Sequence, residues 1–79
     1  MNTAKVRTDW FTDPYYRAIP EATRQDIEAR IPDGGYLSLT HGGRDFRAHV
    51  YVGSERVASS LPCRHVDVAC WHALRRAAA

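Results

Sequence analysis

Residues 35–61 constrain the fold most, because their apolar residues alternate with polar ones. Period-two alternation is typical of strands with one buried face and one solvated face. Two short glycine-containing segments, His41-Gly42-Gly43-Arg44 and Gly53-Ser54-Glu55, interrupt the pattern and predict hairpin turns. We therefore expect three antiparallel strands in a meander, with these inward residues: Leu37, Leu39, Phe46, Ala48, Val50, Val52, Val57 and Leu61.

Helices are predicted on both sides of this meander. Thr12-Asp13-Pro14 is a helix start that predicts a short helix over Pro14–Ala18, and Trp10 and Phe11 are expected to dock beside it. Pro20 opens a second helix, Pro20–Ile31, with Ile27 and Ile31 on its core side.

The third helix is predicted over Pro62–Ala77, with Ser60 as its cap. Its core stripe has helical spacing: Val66, Cys70, Ala73, Leu74 and Ala77. The 79 residues then form one small α+β domain, a three-stranded antiparallel meander with two short N-terminal helices and a long C-terminal helix.

The alternation also defines the solvated face of the sheet. We expect five polar or aromatic side chains there: Tyr36, Arg47, His49, Tyr51 and Arg56. Tyrosine and arginine are enriched in the hot spots of protein interfaces. The same residues are also suited to stacking on bases and holding phosphates of single-stranded nucleic acid, but the net charge of +2 favours a protein partner.

Charge is distributed unevenly, with −1 over residues 1–40 and +3 over residues 41–79. A group of acids in the second helix and the turn after it forms a candidate acidic binding face: Glu21, Asp26, Glu28 and Asp33. Glu21 and Glu28 are seven residues apart, so we expect both on one exposed side of the helix.

Two Cys-x-His segments, at Cys63 and Cys70, suggest zinc ligands. If both lie on the last helix, the two cysteines are about 10.5 Å apart along its axis, too far for one metal or for a disulfide. We therefore expect no metal, no cofactor and a monomer. If a disulfide-linked homodimer forms, Cys70 beside Trp71 is the expected bridge.

No residue pattern indicates an enzyme, since no serine or cysteine lies in a recognisable nucleophile motif. A weaker alternative is a ribonuclease-type toxin that uses Arg47, His49 and Tyr51. Residues 1–11 have no apolar segment of the signal-peptide type, and no apolar run approaches the length of a membrane span, so a cytoplasmic protein is expected.

The element order, Pro14–Ala18, Pro20–Ile31, the meander Tyr36–Leu61 and the Cys-containing helix Pro62–Ala77, resembles that of small phage-encoded anti-CRISPR proteins, particularly inhibitors of type I-C systems. The resemblance covers nearly the whole chain but no specific motif. It implies binding to the bacterial CRISPR-Cas effector complex, Cascade, and obstruction of target DNA. Many such inhibitors are acidic DNA mimics, and this chain departs from them with its charge of +2.

Overall fold

A computed structural model describes residues 14–78 as one α+β unit. Helix α1 covers Pro14–Arg17 and helix α2 covers Glu21–Ala29, followed by strands β1, Gly35–Gly42, β2, Asp45–Val52, and β3, Glu55–Ser59. Helix α3, Val66–Ala78, closes the order. The α+β fold predicted from the sequence is confirmed, whereas the predicted helix start at Thr12-Asp13 and the docking of Trp10 and Phe11 lie outside the described residues.

The sheet has the order β1-β2-β3, and both pairings are antiparallel. Each hairpin turns through a glycine with positive φ, Gly43 at 66° and Gly53 at 64°. A glycine at the first central position is what a tight two-residue hairpin loop favours. Leu37 then pairs with Val50, and this pair lies at the centre of the inner face.

All three helices contribute to the core, which is formed mainly by α3 against β2 and β3. The predicted stripe of α3 is largely confirmed, since Val66, Cys70, Ala73 and Leu74 are buried. Tyr16 of α1 and Ile31 of the loop after α2 are also buried in this core. None of the helices within residues 14–78 combines the length and the apolar character needed to cross a membrane.

Strand β3 departs from the predicted alternation, because a β-bulge interrupts its pairing with β2. Val50 pairs with Ala58 and Tyr51 pairs with Arg56, so Val57 is an extra residue between them. One extra residue in a strand moves each side chain that follows it to the opposite face of the sheet. The prediction that Val57 and Leu61 are inward is therefore wrong: their side chains are 45% and 57% exposed.

The start of α3 also differs from the prediction, since the helix begins at Val66 and not at Pro62. Cys63 instead forms an isolated β-bridge with Phe46, with N–O distances of 2.7 and 2.9 Å in the two directions. Ser60 does not cap the helix. Its hydroxyl accepts a hydrogen bond from the Ala48 amide at 3.0 Å and donates one to the Leu61 carbonyl at 2.9 Å. The chain thus stays extended beyond β3, because β2 continues to supply hydrogen-bond partners.

Candidate binding face on the outer side of the sheet

The outer face of the sheet is the side opposite the helices. The strand register places three residues of β2 on it, Arg47, His49 and Tyr51, and pairs Tyr51 with Tyr36 and Arg56. No helix of residues 14–78 covers this side. Helix α3 packs on the inner face of β2 and β3, and α1 and α2 both pack against α3. The ring of Tyr15 in α1 lies 5.0 Å from the ring of Phe46, also on the inner face. The five side chains predicted for one face do lie together.

Tyr36 and Tyr51 form a stacked pair at one end of this face. Their ring centroids are 5.0 Å apart and their planes differ by 6°. The pair follows from the register, because residues directly opposite each other on antiparallel strands have neighbouring side chains. Aromatic pairs of this kind add stability beyond the area they bury.

His49 lies at the centre of the face but is only 6% exposed. Its Nδ1 atom is 2.8 Å from the Ser59 hydroxyl on β3, and its Nε2 atom is 3.2 Å from the Thr40 hydroxyl on β1. The expectation of a solvated imidazole is therefore wrong. His49 faces outward, yet both of its nitrogens are engaged by neighbouring strands.

The hydrogen bonds of Thr40 assign the tautomer of His49. The Thr40 hydroxyl donates its single proton to the Arg47 carbonyl in a long hydrogen bond of 3.5 Å. The arrangement that uses all of these contacts has Thr40 accepting from His49, which assigns the proton of the neutral imidazole to Nε2. Nδ1 is left as an acceptor, and the Ser59 hydroxyl donates to it.

Two arginines flank this histidine. The Arg47 guanidinium donates through Nε to the Ser60 carbonyl at 3.2 Å, which draws the side chain toward β3. Burial lowers the pKa of His49 from its ordinary 6.5, and the positive charges of Arg56 and Arg47 lower it further. Within residues 14–78, neither guanidinium has a carboxylate at ion-pair distance.

The predicted acidic face is less available than expected. Glu28 is half-buried, and its carboxylate accepts a short hydrogen bond from the hydroxyl of the fully buried Tyr16. It therefore stabilises the core and is not a free surface acid. Glu21 accepts a hydrogen bond from Gln25 at 3.2 Å, and Asp26 lies 3.8 Å from Arg30. Asp33 is exposed in the turn before β1.

The cysteines also differ from the prediction. Cys70 is fully buried in the core, so it cannot form the expected bridge to a second molecule. Cys63 is partly exposed, and its thiol donates to the Leu61 carbonyl at 3.1 Å. Since Cys63 lies outside α3, the helical spacing that argued against a shared metal does not apply. The residues that the structure describes nevertheless contain no cluster of three or more metal-ligating side chains.

Sequence reasoning missed Ser59 and Thr40 as partners of His49. The first hairpin loop does place Thr40 beside the outer face of β2, and that register was readable from Gly43. The position of Ser59 could not be predicted from the sequence. Regular pairing after Gly53 would place Ala58 opposite His49, and only the bulge at Val57 places Ser59 opposite His49. No family model, curated protein or solved structure matches this chain in comparisons with known proteins.

Proposed function

We propose that this protein is a non-catalytic inhibitor that acts as a monomer in the host cytoplasm, binds the CRISPR-Cas Cascade complex and hinders its binding of target DNA. The observation that supports a binding role is the outer sheet face. It carries two tyrosines and two arginines on a side that no described helix covers. These residue types dominate protein-interface hot spots. Cascade as the partner comes from the resemblance in element order.

The outer sheet face is a better candidate for the contact than the acids of α2. Glu21, Asp26 and Glu28 all have partners within the chain, and Glu28 is needed by the buried Tyr16. Arg47 and Arg56 are exposed and have no carboxylate partner among residues 14–78. Arginines with no carboxylate partner in the described part of the chain can meet acidic groups of a binding partner.

The test compares two double variants in a binding assay with purified type I-C Cascade and in a mobility-shift assay of target DNA. Arg47→Glu with Arg56→Glu should weaken binding at least tenfold and restore DNA binding by Cascade. Glu21→Arg with Asp26→Arg, matched in number of charges reversed, should change binding less than threefold. Circular dichroism checks that both variants fold. The proposal would be contradicted if the wild-type protein neither binds Cascade nor blocks its binding of DNA. If the acidic double variant weakens binding more than the arginine double variant, the contact lies on the acidic face.

A second candidate function is binding of single-stranded nucleic acid. It is favoured by the stacked Tyr36–Tyr51 pair beside Arg56, since aromatic rings and arginines on a sheet are a common platform for bases and phosphates. Fluorescence anisotropy with a labelled oligonucleotide tests it. Affinity that falls about tenfold between low and moderate salt supports this candidate.

A ribonuclease role is the weakest of the three. A general base must reach a proton of the substrate, and His49 is buried with both ring nitrogens already in hydrogen bonds. Cleavage of a labelled RNA that disappears in His49→Gln would contradict the non-catalytic proposal.

A further inference from the structure

The region between Arg47 and Arg56 has the components of an anion site. The register places Arg47 two residues before His49 on the outer face of β2, and it places Arg56 opposite Tyr51 on the same face. Ser59 lies directly opposite His49 on β3. Arg47 is held toward β3 by its hydrogen bond to the Ser60 carbonyl, so part of its geometry is fixed before any ligand binds. Arginine forks match the oxygens of phosphoryl groups.

We propose that the outer sheet face binds a phosphoryl group between Arg47 and Arg56, with Ser59 as a hydroxyl donor and His49 as the buried residue that takes up a proton on binding. This inference deepens the second candidate function and does not depend on Cascade. The ligand chemistry is a phosphate ester, from either a nucleic-acid backbone or a small phosphorylated molecule.

The hydrogen bonds around His49 explain the coupled proton. With the proton of the neutral ring assigned to Nε2, the Ser59 hydroxyl donates to Nδ1 in the free protein, so it has no proton for a ligand. When His49 is protonated, Nδ1–H donates to the Ser59 oxygen, and the hydroxyl proton can turn toward a bound phosphoryl oxygen. The bond from Nε2–H to Thr40 is the same in both states. Only one hydroxyl rotation is required.

Electrostatics gives the sign of the coupling. The groups on the outer face that bear charge or titrate, within residues 14–78, are Arg47, Arg56, Tyr36, Tyr51 and, at the far end of β2, Asp45. Without a ligand, the two arginines oppose protonation of His49. An anion between them offsets their charge, so binding raises the pKa of His49, and by linkage lower pH strengthens binding.

Sulfate is the primary probe, because it keeps the same charge across the titration range of histidine whereas inorganic phosphate does not. NMR of the histidine side chains follows the titration at fixed ionic strength, with chloride as the matched control salt. We expect sulfate to move the His49 resonances, to raise the pKa of His49, and to bind at least threefold more tightly at about pH 5.5 than at about pH 7.5. Binding that is independent of pH, or His49 resonances that respond to chloride as much as to sulfate, would overturn the proposal.

Three variants locate the site. Arg56→Gln should weaken sulfate binding at least threefold, while Arg76→Gln, a matched loss of one exposed arginine in the last turn of α3, should not. Ser59→Ala should reduce both the affinity and its dependence on pH. Equal weakening in Arg56→Gln and Arg76→Gln would mean general charge attraction and would contradict a defined site.

Two further ligands separate the sources of the phosphoryl group. If an oligothymidylate binds at least tenfold more tightly than a 5′-mononucleotide, and Arg56→Gln weakens it, the ligand is a nucleic-acid backbone. If the mononucleotide binds as well as the oligomer, the site takes a small phosphorylated molecule, and the nucleic-acid candidate fails while the site stands. If neither competes with sulfate, the phosphoryl assignment is overturned.

Discussion

The Nδ1 atom of His49 lies 2.8 Å from the Oγ atom of Ser59, across the pairing of β2 with β3. With the proton of the neutral ring assigned to Nε2 through Thr40, this contact is a hydrogen bond from serine to histidine. It lies on a face that carries two arginines, neither of which has a carboxylate partner among residues 14–78. A neutral, buried imidazole between two positive charges makes this part of the domain sensitive to acid.

The first prediction concerns that sensitivity. The pKa of His49 in the folded protein is below its ordinary 6.5. Its contribution to stability is therefore complete above about pH 6.5 and is lost as the pH falls through the folded value. The melting temperature should fall between about pH 7.5 and pH 5.5, and His49→Gln should reduce this fall.

The control for this experiment is His65→Gln, which alters an exposed imidazole just before α3. It should retain the full wild-type fall in melting temperature. An equal effect of the two substitutions would show that His49 is not the group that responds to acid.

The second prediction compares two valines of the sheet. Val50 is fully buried opposite Leu37, so Val50→Asp places an unpartnered carboxylate in the core and should prevent folding. The cost is several kcal/mol, comparable with the stability of about 5 kcal/mol expected for so small a domain.

Val57→Asp makes the same chemical change on the bulge, where the side chain is 45% exposed. It should alter the free energy of unfolding by less than about 0.5 kcal/mol. Urea denaturation measures both. If the Val57 variant unfolds, Val57 must be inward as regular alternation predicts, and the bulge would be contradicted.

The third prediction concerns alkaline pH. Burial raises the pKa of the Cys70 thiol from 9.0 to about 12, and burial together with the hydrogen bond to Glu28 raises the pKa of Tyr16 well above 10.0. Both groups are neutral in the folded protein. Their contribution to the free energy of unfolding is complete below their pKa values in the unfolded chain, and it is lost as the pH rises past about 9 for Cys70 and about 10 for Tyr16. The unfolding free energy should fall in that range.

Tyr16→Phe tests the tyrosine contribution. The variant should be about 1 kcal/mol less stable at about pH 8, because the half-buried Glu28 carboxylate loses a donor. It should also lose less stability than wild type between about pH 9 and pH 11. Tyr15→Phe, which changes a half-exposed tyrosine, should keep the wild-type alkaline profile.

The fourth prediction concerns the thiols. In the folded protein, a thiol reagent should react quickly with Cys63 alone, since Cys70 is fully buried. Cys63→Ser should abolish the fast reaction and any covalent dimer formed without reductant. Fast labelling that survives in Cys63→Ser but not in Cys70→Ser would contradict the burial of Cys70.

The parts of the fold that the sequence predicted are those with a local signal. Gly43 and Gly53 mark the hairpins, and helical spacing marks the buried side of α3. Alternation marks the inner face of β1 and β2 except at the end of β2, where Val52 was expected to be inward and is 39% exposed. The outer-face residues of β2 follow from the same alternation. Each of these features depends on residues that are close in sequence.

The missed features depend on contacts between distant residues. The partner of Glu28 is Tyr16, twelve positions earlier, and nothing near Glu28 distinguishes it from a solvated acid. The bridge from Cys63 to Phe46 delays α3 by four residues and has no local marker either. The two hydrogen-bond partners of His49 lie on the two flanking strands, and alternation within a single strand does not describe such contacts.

The bulge at Val57 also affects how β3 presents its backbone to other chains. The order β1-β2-β3 leaves β3 at one edge of the sheet, where regularly spaced amide and carbonyl groups would offer a template for an incoming strand. The extra residue disturbs that spacing and adds local twist, so a straight strand cannot pair along the whole of β3. The irregularity that brings Ser59 to His49 therefore also protects this edge against edge-to-edge aggregation.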